Sequence, residues 1–435
     1  MLQKVLTLEV WDGRVAVAQL QKSWRGMRLL GWLVLELPPD IKDVRSIARY
    51  TAERVQEAGL SGHKVVLGLG PSRAHLQQLD FPFSSRHRIE RALPGKMESS
   101  LSMNSEEFLF DAYFLGEAAD GMCRVLAAAL PRSTVEQWNR TLRGFGLEPD
   151  RIDLVPSSLA ELGAQVSDEN QDGCTVVWQF GRTRSTVVYL RNGRLEYTDG
   201  FWTGTEDLAR VLADRTGKSR EEAREGIERG KYFQPVSDRE ETSSSTQNAA
   251  LSQCARIARD ELTRSIRRFQ EEHPNAEVEK VVLTDKGARW SGLGTAIEAQ
   301  TGMALSVARD VSLPFDTADV DNNKIPEVAS AACLGMKARK RASGWNFEKK
   351  EATGGHARGW RRFAQDIGFG MGIVILCAAI SMSFHFWLKN LESHPGQNRV
   401  GSALHLQQYT TWKASTPLEP ARYSSVTHER IRLKK

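Results

Sequence analysis

Few residues in this chain combine the types and the spacing that chemistry requires. Gly68-Leu69-Gly70 follows a short apolar run, where a backbone could approach a phosphate. The third glycine and the helix of a dinucleotide fingerprint are missing. His63, His75 and His87 are isolated, and none stands with a nucleophile and a carboxylate at useful spacing. Cys123, Cys174, Cys254, Cys333 and Cys377 are scattered, with no Cys-x-x-Cys pair and no histidine at metal-ligand spacing. Arg182 and Arg184 follow Gly181 and could hold an anion, although arginines in such places more often form a solvated face. No catalytic constellation and no metal site emerges, so the chain reads as a binding protein.

The elements that would position these residues form two similar series. Residues 5–10 read as a strand, Trp11-Asp12-Gly13 as a tight turn and residues 14–20 as a second strand. A helix over 44–58, a buried strand over 64–68, a helix after Ser84 or Ser85, strands over 108–114 and 124–130 and an amphipathic helix over 133–145 follow. Pro94 is expected to kink or break the helix that carries Ile89, Leu93, Met97 and Leu101. The pattern then restarts: strands over 175–180 and 185–190, an Asn192-Gly193 hairpin turn and a third strand over 194–199. Helices are expected over 206–216, 220–231, 251–272, 289–300 and 325–339, a strand over 279–284, and a polar surface loop over 235–249. The recurrence predicts an α/β fold in two lobes, about 1–160 and 161–341, with a cleft between them.

Residues 367–388, IGFGMGIVILCAAISMSFHFWL, contain no Asp, Glu, Lys or Arg. Twenty-two residues rise roughly 33 Å as a helix, enough for a bilayer core of about 30 Å. Arg358, Arg361 and Arg362 precede the segment, and aromatic residues flank both ends, as orientation at a membrane requires. Gly368 and Gly372, with Ala379 and Ser383, offer small-residue faces for packing on a partner helix. These features predict a single transmembrane helix over 367–388, a basic juxtamembrane linker over 342–366 and a short periplasmic tail over 389–435. The N-terminus carries no long apolar targeting run, so the head is expected in the cytoplasm. Scattered cysteines fit a reducing compartment. Of the formal charge of +5, the tail alone accounts for +5, with eight Lys/Arg against three Asp/Glu. The head is therefore close to neutral, which argues against a nucleic-acid partner.

Several stretches carry a resemblance. They are LDFPFSSRHRIERALPGKMESSL (79–101), RSIRRFQEEHPNAEVEKVVLTDKGARWSGL (264–293), IPEVASAACLGMKARK (325–340) and WNFEKKE (345–351). In order and spacing they resemble the actin-like (RNase H-like) ATPase superfamily. Within it they are similar to type IV pilus assembly protein M and the cytoplasmic part of type II secretion system protein L. The last stretch is also similar to the Asn-containing N-terminal motif of pilus protein N, which docks on protein M.

The resemblance implies an actin-like duplicated domain with phosphate-gripping turns. In nucleotide-binding members each turn offers an Asp for Mg²⁺ and a Gly whose amide approaches the phosphates. Here the first turn reads Glu9-Val10-Trp11-Asp12-Gly13, with Trp11 where glycine is usual. The second reads Gln179-Phe180-Gly181, with an amide where the carboxylate is usual. The adenine-side motif reads Leu283-Thr284-Asp285-Lys286-Gly287, with Asp285 and Lys286 in place of small residues. By resemblance, Glu9, Asp12, Gly13, Gln179, Gly181, Thr284 and Gly287 form a degenerate nucleotide site. No cofactor is expected, and ATP with magnesium is the alternative. The implied role is a scaffold at the bacterial inner membrane that recruits the cytoplasmic assembly ATPase. It would pair with a second bitopic platform protein, and a homodimer is an open option. The alternatives are an actin-like ATPase using Glu9 and Asp12, and a cell-division type of actin-like protein. The superfamily's protein L carries a folded domain beyond the membrane, for which the tail here is too short.

Overall fold

The computed structural model describes residues 3–348, apart from 24–25, 102–103, 118–120, 168–172, 229–240, 275, 291–292, 318–319 and 339–342. The chain divides into two compact units, Met1–Gly355 and His356–Lys435, and every described residue belongs to the first. The span expected over 367–388, with Gly368, Gly372, Ala379, Ser383 and the flanking Arg358, Arg361 and Arg362, lies outside the described residues. Among the described residues no helix is long and apolar enough to cross a membrane.

The first lobe starts as an antiparallel meander of β1 (Lys4–Trp11), β2 (Arg14–Ser23) and β3 (Gly26–Glu36). β1 is buried along nearly its whole length, because both faces of the sheet are covered. Asp43 caps α1 (Val44–Glu57) by accepting the Ser46 N–H, and β4 (Lys64–Leu69) then joins β1 in parallel. At this point the chain leaves the lobe. β5 (His75–Phe81), α2 (Arg86–Leu101), β6 (Phe108–Glu117) and β7 (Cys123–Pro131) form a separate antiparallel sheet, ordered β5-β7-β6, with a helix on one face. α2 runs through Pro94, so the helix is not broken there. Ile89, Leu93 and Met97 are fully buried on both sides of the proline, and this packing offsets a local cost of about 3 kcal/mol. α3 (Arg132–Gly144) and β8 (Arg151–Leu154) return to the lobe, where β8 pairs with β4.

The second lobe repeats the plan. α4 (Val155–Ala164) leads to β9 (Cys174–Phe180), β10 (Ser185–Arg191) and β11 (Arg194–Phe201), again an antiparallel meander. α5 (Thr205–Thr216), α6 (Arg220–Glu228) and α7 (Glu241–Glu272) follow. Part of the loop expected over 235–249 is helix, since α7 begins at Glu241. The buried run of Ala250, Leu251 and Cys254 anchors that helix, and adding turns to a formed helix is far cheaper than starting one. β12 (Val278–Thr284) joins β9 in parallel, and α8 (Leu293–Thr301) leads to β13 (Ala304–Val307). The sheet order β11-β10-β9-β12-β13 matches β3-β2-β1-β4-β8 strand for strand.

The lobes exchange their last helices. After the short strand β14 (Phe315–Asp316) pairs with β3, α9 (Ile325–Leu334) packs on β1 and β2. α4, which follows the first lobe's final strand, packs on β9 and β10 of the second. The two helices start alike, Val155-Pro156 and Ile325-Pro326, each with proline where a missing N–H costs nothing. They lie against each other at the floor of the cleft.

Candidate functional site

Glu9 occupies the middle of the cleft and is 1% exposed. Its Oε1 accepts from Gln179 Nε2 at 3.0 Å and lies 3.7 Å from the Arg14 guanidinium. Its Oε2 accepts from Ser330 Oγ at 2.5 Å and faces Ser158 Oγ at 3.4 Å. The two serines come from the paired helices α9 and α4 and touch each other at 2.9 Å. Every acceptor of this carboxylate is therefore engaged by the chain itself, and a buried carboxylate without such partners would be costly.

Arg14 closes the cleft further in. Its Nη2 and Nε donate to Asp285 Oδ2 at 2.8 and 3.1 Å, and its Nη1 donates to the Glu327 carbonyl at 3.0 Å. Burial alone would depress the guanidinium, but Asp285, Glu9 and Glu327 around it raise its pKa, so it stays charged. Burial pushes the Asp285 carboxyl up, to about 7, against the opposing pull of Arg14. Asp285 adopts φ 68° and ψ −151°, a backbone region that side chains rarely occupy. Next to it, Lys286 reaches Glu36 of β3 at 2.8 Å.

The turns meet at the mouth of the cleft. Asp12 accepts the Thr183 N–H at 2.8 Å and also the Thr183 hydroxyl. Burial raises its pKa, although the Thr183 hydrogen bonds pull it down. The Trp11 ring lies between Gly70 and Gly181. A Cβ at Gly70 would come within 2.6 Å of the ring, and one at Gly181 within 2.2 Å. Two of the glycines that look phosphate-directed in the sequence are thus required by a tryptophan. Gly13, at φ 75°, makes the first turn, Gly287 abuts the Phe180 ring, and Thr284 Oγ1 donates to the Pro326 carbonyl at 2.7 Å.

The structure brings Glu9, Asp12, Gly13, Gln179, Gly181, Thr284 and Gly287 into one cleft, as their place in the two turns and the strand end implies. It adds Arg14, Ser158, Ser330 and Glu327, which local sequence gives no reason to select. Arg14 comes from the start of β2, and the pairing of α4 with α9 brings in Ser158, Ser330 and Glu327. These residues do not fit a magnesium-bound nucleotide. The space between the turns holds an indole ring, the central carboxylate is spent on Gln179, Ser330 and Arg14, and a guanidinium stands beside it. Among the described residues no group of three His, Cys, Asp or Glu is placed to hold a metal ion. His63, His75 and His87 are exposed and lie apart from the cleft.

A second constellation lies between the inserted sheet and the first lobe. Residues 343–348 run there with Trp345 and Phe347 fully buried. The Trp345 N–H donates to Asp153 Oδ1 at 3.1 Å, its indole N–H to the Leu126 carbonyl at 3.1 Å, and the Asn346 N–H to Asp111 Oδ2 at 2.7 Å. Arg151 Nη2 donates to the Ser343 carbonyl at 3.0 Å. Gly344 has φ 110° and sits so close that a Cβ would lie 2.4 Å from Ser157 Oγ.

Comparison with known proteins agrees with this architecture. The solved PilM-PilN type IV pilus biogenesis complex is similar at a TM-score of 0.61 and 20% identity, over 77% of this chain and 98% of that one. Weaker similarities include the ethanolamine utilization protein EutJ from Carboxydothermus hydrogenoformans, at a TM-score of 0.43 and 13% identity over 77% and 89% of the two chains. Another is the cytoplasmic domain of EpsL, an inner-membrane component of the type II secretion system of Vibrio cholerae, at 0.37 and 10% over 79% and 98%. No curated protein matches the chain. The two-lobed α/β fold is actin-like. The sequence profile of the type IV pilus assembly protein PilM family matches residues 33–334, and the chain belongs to that family.

Proposed function

We propose that this protein is a membrane-attached platform of a type IV pilus or type II secretion machine, working by binding and force transmission with no bond broken by the chain itself. The observation that carries this reading is the closed cleft. The Trp11 ring packs against Gly181 of the second turn, and the Arg14–Asp285 pair ties the lobes together behind it. A hydrolase needs a metal and a positioned water there. The family relative was solved in complex with PilN, which supports a second protein as partner here too. In this reading the partners are the cytoplasmic assembly ATPase and a second bitopic inner-membrane protein. The 367–388 span attaches the head to the inner membrane as a single pass, with the N-terminal domain in the cytoplasm.

The test is a co-purification of the full chain with the assembly ATPase of the same machine, run beside an ATP turnover assay. The expected result is a stable complex and no turnover above background from the chain alone. Turnover that disappears in a Glu9→Ala, Asp12→Ala variant, with no complex formed, would refute the platform reading in favour of an ATPase.

A further inference from the structure

Trp202 is 74% exposed, the most of any large apolar side chain among the described residues. Its backbone is nonetheless held on both sides. Phe201 and Thr203 are buried, the Thr203 carbonyl accepts the Ser185 hydroxyl at 2.9 Å, and Thr203 Oγ1 donates to Glu261 at 3.3 Å. The Arg184 guanidinium stacks on the indole, 4.1 Å from the ring centroid. An indole fixed in this way loses little freedom on binding, which is how interface hot spots gain their strength. Beside it lies a depression of about 460 Å³, with Leu76 and Gln77 of β5 on one wall and β11 on the other. Seven successive residues of β11, Glu196 to Trp202, line it. Alternate residues would line a sheet face, so the depression runs along the strand's edge. β11 is the last strand of its sheet, and its outer backbone groups have no partner strand among the described residues. The wall here is the second lobe, whereas residues 343–348 lie against the first.

A second depression, of about 490 Å³, shares Trp11, Ser72 and Arg184 with the first and adds Lys42, Arg73 and Arg182. Arg182 pairs with Glu206 at 3.3 Å, but among the described residues no carboxylate pairs with Arg73. Arg184 Nε has no hydrogen-bond acceptor among them and lies 4.0 Å from Asp12, which Thr183 already engages. Burial and the nearby charge of Arg184 both lower the pKa of Arg73. Two half-buried guanidiniums therefore repel each other, and an incoming carboxylate relieves that repulsion.

We propose that this edge docks an extended acidic segment of a partner protein, which adds a strand to β11, rests an apolar side chain on Trp202 and sets carboxylates against Arg184 and Arg73. Strand addition gives affinity through the backbone, and the side chains along the edge give the choice of partner. A small anion would leave the strand edge and the indole uncovered. The inference deepens the platform reading by giving the partner's chemistry. Its test does not use the assembly ATPase, so the two can fail separately.

The probe is a library of displayed random octapeptides, panned on the purified full chain. Selected peptides are expected to combine Asp or Glu with an apolar residue, and to bind a Trp202→Ala variant at least about tenfold more weakly. Panning on an Arg73→Glu variant should select Lys or Arg in place of the acidic residues. Should Arg73→Glu melt early, Arg73→Gln replaces it, with the acidic preference weakened in place of reversed. Selection of no peptide, of peptides without acidic residues, or only of peptides that bind Trp202→Ala as well as the parent overturns the proposal. So does retention of ATP or inorganic phosphate through Arg73 and Arg184 that no selected peptide displaces, which would make this a small-anion site. Self-association of the full chain that Trp202→Ala abolishes overturns it in favour of a second copy.

Discussion

Arg14 and Asp285 stand 271 positions apart and meet at 2.8 Å, one from the first lobe's hairpin and the other from just past the end of β12 in the second lobe. Asp285 sits where the resemblance leads one to expect a small residue or glycine, and the backbone there keeps a glycine-like conformation. The residue thus trades backbone comfort for a buried contact between the lobes.

That trade gives a graded prediction at one position. Asp285→Ala removes the partner of a buried guanidinium and keeps the strained backbone, and should cost about 3–5 kcal/mol in urea denaturation. Asp285→Gly removes the same partner and relaxes the backbone. It should be less damaging than alanine by about 1–3 kcal/mol. Equal losses would show that the conformation stores no strain.

The Trp11 ring makes a second prediction. Gly181→Ala places a methyl within 2.2 Å of the ring and should destabilise by about 1–3 kcal/mol through overpacking. In a Trp11→Ala background the same substitution should cost less, leaving only the 2.5 Å approach to Asp12 Oδ2, so the two changes are non-additive. A thermodynamic cycle on the four proteins measures this directly.

Asp285 also makes the closed cleft sensitive to pH. Its carboxyl titrates near 3.8 in the unfolded chain, and burial raises it to about 7 in the folded one, among Arg14, Glu327, Lys286 and Glu9. The folded state therefore keeps a proton that the unfolded state has already lost. This contribution is fully present below about pH 4 and is lost as pH rises through about 7. Melting temperatures should fall between pH 5 and pH 8, and Asp285→Asn should flatten that part of the slope. An unchanged slope in the variant would assign the titration to another group.

Trp345→Ala should cost about 3–5 kcal/mol, since a fully buried indole leaves a cavity on truncation. Hydrogen exchange should then rise in β6 and β8, the two strands the segment joins, and remain unchanged in β12. Uniform acceleration across the lobes would mean that the segment supports the whole head equally.

Much of this was legible in the chain. Repeated strand–turn–strand runs exposed the duplication, because short apolar runs and Asn-Gly turns are local signals. Glu9, Asp12 and Gly181 are singled out by the resemblance of their turns, and the structure places them in one cleft. Two strands of the inserted sheet, β6 and β7, were legible, but β5 escaped notice, because it begins at His75 and continues through Gln77 and Gln78, which lack the alternation of a half-buried strand. α4 was missed because all but two of its residues are buried, which hides helical periodicity. Ser158 and Ser330 could not be read at all. Their role comes from the pairing of two helices 172 positions apart, and no window of sequence contains that.

The crossing of α4 and α9 has a consequence for the history of such a molecule. Each half carries the cover that hides the other half's apolar sheet, so neither can be discarded without leaving a sticky, insoluble remnant. A bulky residue at the rim, such as Trp11, leaves that interlock intact. Rim residues can therefore vary while the skeleton persists.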